Sequence, residues 1–89
     1  MDNIVIVEAC RTAVGKFGGS LKPLSAADLA VETMKAAIDR SGIDVNEIDE
    51  VDFGQCRQSS DASNIARYAA LKAGIPERAP GNTVMCACA

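Results

Sequence analysis

The apolar residues of this chain fall into blocks of two different periods, and each block predicts an element. Ile4, Val5, Ile6 and Val7 are four consecutive β-branched residues within the stretch Asn3–Thr12. An unbroken apolar run of this kind predicts a strand buried on both faces, as in a parallel sheet. Gly15, Gly18 and Gly19 then break the pattern, so residues 13–24 read as a loop. From Ser25 the period changes to 3.6. Ala27, Ala30, Val31, Met34, Ala37 and Ile38 share one face and predict a helix. Ser25 suits its N-cap, and Asp28, three positions on, suits the partner place of a capping box. Lys35 and Arg40 come late, as the helix dipole favours, and Gly42 is a natural stop.

Residues 43–50, IDVNEIDE, are short and acidic and predict one helical turn at the surface. Val51–Cys56 is the next strand, followed by a polar loop, RQSSDAS. Asn64 or Ser63 caps a second helix, IARYAALKAG, whose apolar residues nearly encircle it, with Arg67 and Lys72 as the polar exceptions. A helix apolar most of the way round is buried on more than one side. Gly74 and Pro76 end it, and PGNTVM is a third short strand. The predicted order is β-α-turn-β-α-β, with parallel strands implied by the crossover helices. The fold class is α/β. The layers are incomplete, because strands buried on both faces need more helices than these residues provide.

Composition adds exclusions. The formal charge of −3 is mild and offers no basic patch for nucleic acid. No apolar run reaches the roughly eighteen residues of a membrane span. The first residues lack a basic n-region, so no secretory signal is predicted and a cytoplasmic setting is expected. In that setting the four cysteines are expected to be reduced. Cys10 and Cys56 fall in predicted strands and read as buried, inert thiols. The glycine-rich loop matches neither a phosphate loop nor G-x-G-x-x-G, so it is no nucleotide site.

Candidate chemistry lies in NTVMCACA, where Cys86 and Cys88 follow the last predicted strand. A cysteine just past the carboxyl end of a parallel strand sits where α/β folds place their sites. A helix starting there would lower the thiol pKa, and its free N–H groups could hold a developing oxyanion. That arrangement suits a nucleophile in acyl transfer. Two small buried residues are the alternative reading. A disulfide within C-x-C closes a strained ring, which leaves a redox module as a further alternative. Metal is not expected, since zinc needs more ligands and the chain has no histidine. The same absence means that a reactive thiol finds no imidazole base here.

Several segments, taken in order, resemble the amino-terminal part of the thiolase family, the acetyl-CoA acetyltransferases and 3-ketoacyl-CoA thiolases. ACRTAVGKFGGSL is similar to the family's opening A-x-R-T-P-x-G-K-F-G-G-S-L, with Ala13 where Pro is common. FGQCRQSSDASNIARYAALKAGIP is similar to its F-G-N-V-L-Q-x-G-x-G-Q-N-P-A-R-Q-A-A-L-x-A-G-[IL]-P. There Phe53, Gly54, Gln58, Asn64, Ala66, Arg67 and the AALKAGIP run match, while Gln55, Ser60, Ile65 and Tyr68 depart. Aligned on Thr83 and Val84, the family's T-V-N-x-x-C-[AG]-S places its nucleophile at Cys88 and leaves Cys86 at a variable position. Met85 stands where Asn is usual.

The resemblance implies that residues 1–89 are the first portion of a five-layer αβαβα fold with a mostly parallel sheet, incomplete in this chain. It implies a two-step exchange between coenzyme A thioesters, which are substrates and not bound cofactors. Cys88 would take an acyl group, its backbone N–H helping to hold the oxyanion. A second acetyl-CoA, deprotonated at its α-carbon, would attack the thioester to give a 3-ketoacyl-CoA, and thiolysis reverses the path. The family's histidines, second cysteine and coenzyme A loop domain come from later sequence. These residues alone are therefore expected to be inactive, with a second polypeptide supplying the remainder. The completed subunit is expected to form dimers or tetramers, with no nucleic acid and no membrane. The alternative is a non-catalytic, thiolase-like scaffold subunit.

Overall fold

The computed structural model describes residues 3–57 and 62–85. Its elements are α1 (Ala26–Ser41), a 3₁₀ turn (Val45–Glu47), β1 (Val51–Gly54), α2 (Ile65–Lys72) and β2 (Gly81–Val84).

The ends of α1 are set by short-range bonds. Ser25 Oγ accepts from the Asp28 N–H at 3.1 Å, and Asp28 Oδ2 accepts from the Ser25 N–H at 3.0 Å. This reciprocal pair satisfies two donors that a helix start would otherwise leave open. At the far end Gly42 takes the left-handed conformation, φ 70°, which costs a residue without Cβ little. The acidic turn is present as the 3₁₀ turn, capped by Asp44 through the Asn46 N–H at 3.0 Å.

β1 and β2 are parallel neighbours, with Val51 opposite Gly81 and Gly54 opposite Val84. The connection between them runs through α2, as parallel pairing requires. α2 occupies the centre and contacts α1, β1 and β2. Its Ile65 and Ala69 pack with Ala27, Ala30 and Ala62 on the α1 side. Ala66 and Ala70 pack with Val51, Ile75 and Ala79 on the sheet side. Met34 and Phe53 touch both clusters. α2 is thus buried on two sides, as its composition predicted, while Tyr68 and Leu71 remain exposed. Alanine at most of these contacts lets the layers approach closely but removes little apolar area per residue from water.

One predicted strand is corrected. Asn3–Thr12 is not a strand, and the described sheet has two members. Ile4 is 101% exposed and Ile6 92%. A strand is made by its hydrogen-bonded neighbour, and no described segment pairs with this one. The apolar run correctly marked what the segment is suited to bury, but carried no information about a partner. Val7 and Glu8 instead flank a recess with Ala37, Ile38 and Ile48.

Candidate active site

The parallel register brings the carboxyl ends of β1 and β2 to one edge. The last rung is the Gln55 N–H donating to Val84 O at 2.9 Å. Beyond it Gly54, Gln55, Cys56 and Val84 line an open recess of about 250 Å³. Met85 leaves β2 there, 43% exposed. Cys86 and the expected nucleophile Cys88 lie outside the described residues, and the strand that leads to them is what the structure positions.

The other predicted thiols differ from expectation. Cys56 is exposed rather than buried in a strand, because β1 ends at Gly54 and the chain bends away. Cys10 is also outside any strand. It is half-buried against α1, where its thiol donates to Thr33 O at 3.6 Å. Among the described residues no group of three or more His, Cys, Asp or Glu is placed to hold a metal ion.

The start of α2 is bonded directly to β2. Asn64 is the N-cap, chosen over Ser63, and its Oδ1 accepts from the Arg67 N–H at 3.2 Å. Its Nδ2 donates to Gly81 O at 3.1 Å. The Ala66 N–H is capped from the strand, donating to Thr83 Oγ1 at 3.0 Å. Thr83 Oγ1 in turn donates to Asn64 Oδ1 at 2.6 Å. Arg67 adds two bonds from its guanidinium, to Glu77 O at 3.0 Å and Ala79 O at 2.9 Å, in the segment that enters β2. Sequence reasoning gave Asn64 a capping role but missed Thr83. The two are 19 residues apart, and no local pattern links a strand hydroxyl to a helix start.

Comparisons with known proteins bear on the family and the fold. The family model described as the thiolase N-terminal domain matches residues 4–89. The chain belongs to the thiolase family. Its curated relatives include the acetyl-CoA acetyltransferases of Cupriavidus necator, 44% identical over 88 residues, and Escherichia coli, 48% identical over 88 residues. Each match takes in 99% of this chain and 22% of the relative. A crystal structure of the Bacillus anthracis acetyl-CoA acetyltransferase superposes with a TM-score of 0.85 at 43% identity, over 91% of this chain and 21% of that one. This thiolase sequence therefore spans about a fifth of the length of its relatives. Its α/β architecture with a parallel sheet is that of the matching part of a thiolase.

Proposed function

We propose that this chain carries the nucleophile of an acyl transfer between coenzyme A thioesters, with Cys88 as the acyl acceptor. The observation that carries the reading is the parallel β1–β2 pair. With β2 parallel to β1, its carboxyl end at Val84 lies at the sheet edge where α/β folds gather their sites, which supports a nucleophile a few residues further along the chain. Membership of the thiolase family and the acetyl-CoA acetyltransferase relatives support acetyl-CoA as the substrate.

In the first step the Cys88 sulfur bonds to the acyl carbonyl carbon and the bond from that carbon to the coenzyme A sulfur breaks. Coenzyme A leaves as the thiol, carrying the proton that Cys88 gave up. The backbone N–H of Cys88 holds the oxyanion of the tetrahedral intermediate. In the second step the α-carbanion of another acetyl-CoA takes the acyl group, forming acetoacetyl-CoA and freeing Cys88. Thiolysis runs the same bonds in reverse. The chain has no histidine, so the proton acceptors come from polypeptide outside these 89 residues, as does the coenzyme A pocket. The completed subunit is a cytoplasmic homo-oligomer, dimer or tetramer, with no permanently bound cofactor.

The test is acid-quenched peptide mass spectrometry of the completed enzyme after brief exposure to acetyl-CoA. An acetyl group on Cys88 is the expected result. Acetylation of Cys86, or of neither, overturns the reading. The second outcome favours the scaffold alternative, towards which the loss of an amide at Met85 points.

A further inference from the structure

We infer that Thr83 and Asn64 are positioning residues for the strand end that carries Cys88, an inference that rests on the acyl-transfer reading above. Helix starts normally satisfy their free N–H groups with a local side chain. α2 uses Asn64 in that way for the Arg67 N–H, but takes its second cap from β2, through Thr83 Oγ1. The bonds close on themselves. Asn64 Nδ2 reaches Gly81 O, Asn64 Oδ1 receives the Thr83 hydroxyl, and Thr83 Oγ1 receives the Ala66 N–H. A closed set of four groups on two elements fixes sliding and rotation of β2 against α2, which a single contact would leave free.

The position of the set matters. Thr83 is the last but one residue of β2, and Cys88 follows five residues later. On the opposite side the same strand end is held by the Gln55 N–H to Val84 O bond. Remove the hydroxyl, and β2 keeps its sheet partner and its bond to Asn64 at Gly81, but loses the bonds to the helix start nearest its carboxyl end. An error of about 1 Å at a reacting atom can cost on the order of a hundredfold in rate.

The experiment uses the completed enzyme and rapid-quench acylation by acetyl-CoA. Burst amplitude counts competent sites, and the burst rate constant reports how each site is placed. Thr83→Val is expected to slow the burst about tenfold or more with little loss of amplitude. Thr83→Ser, which restores the hydroxyl, is expected to return the rate to near wild type. Asn64→Asp keeps both bonds accepted by Oδ1, and hence the helix cap, but cannot donate to Gly81 O. It is expected to slow the burst as well, and covers the case in which Thr83→Val does not fold. Unchanged rate constants in the variants overturn the inference. So does a fall in amplitude alone, which would mark a purely structural role. If wild-type Cys88 takes no acyl group, the acyl-transfer reading fails. The rate of Cys88 alkylation by iodoacetamide then decides the positioning separately, lowered by Thr83→Val and Asn64→Asp if it holds and unchanged if it does not.

Discussion

At Gly81 the sheet lies too close to the helix start to admit a side chain. A Cβ built there would lie 2.8 Å from the Arg67 backbone N and 2.9 Å from its Cα. Backbone cannot move aside as a flexible side chain can. Gly81→Ala should therefore cost about 1–3 kcal/mol, as overpacking usually does, read as a lower urea midpoint at unchanged slope. The sequence held no sign of this, since a glycine opening a strand reads only as a turn residue. The two terminal cysteines are separable by the same kind of substitution. Cys88→Ala should abolish acylation by acetyl-CoA in the completed enzyme, and Cys86→Ala should leave it largely intact, as peptide mass spectrometry would show. Cys56 shows the limit of residue-by-residue reading. Its apolar neighbours Val51 and Phe53 placed it in a strand, but the pairing with β2 runs out at Gly54, and the thiol beyond it faces solvent.

Among the elements, α1 was legible almost residue by residue. Its cap, its apolar face and its glycine stop all depend on groups within four positions of one another. Replacing the cap should show this directly. Ser25→Ala removes the acceptor for the Asp28 N–H and should destabilise by about 1 kcal/mol, measurable by urea denaturation, with loss of helix concentrated in the first turn. α2 was legible as a helix but not in its attachment, because Asn64 and Thr83 are brought together only by the β1–α2–β2 crossover. Asn3–Thr12 is the opposite case. Its composition was read correctly and its state was not, since a strand depends on a neighbour that the segment itself does not name.

At the scale of the whole molecule, the described core is small. Seven alanines, Ala27, Ala30, Ala62, Ala66, Ala69, Ala70 and Ala79, are buried alongside only Val51, Ile65 and Ile75. At roughly 25 cal/mol per Å² of apolar surface, side chains of this size contribute little each, and marginal stability follows. Outside that core, Ile4, Val5, Ile6 and Val7 are all more than half exposed. An exposed β-branched run that pairs with none of the described strands is a template for strand addition. The 89-residue chain should therefore self-associate as concentration rises, and Val5→Lys with Val7→Lys should suppress it. Light scattering across a concentration series checks this. Equal scattering by the wild type and the double variant would mean that the run is not the adhesive surface.

The sequence by itself determined the two helices, the caps of α1, the strand segments β1 and β2, and the family, because each rests on local bonds or on residue order. Only the tertiary structure decided which strands pair, which glycine admits no side chain, which thiol is exposed, and that a strand hydroxyl caps α2. Those outcomes depend on groups far apart in the chain meeting in space, and the periodicity of a segment records its own faces without specifying what they meet.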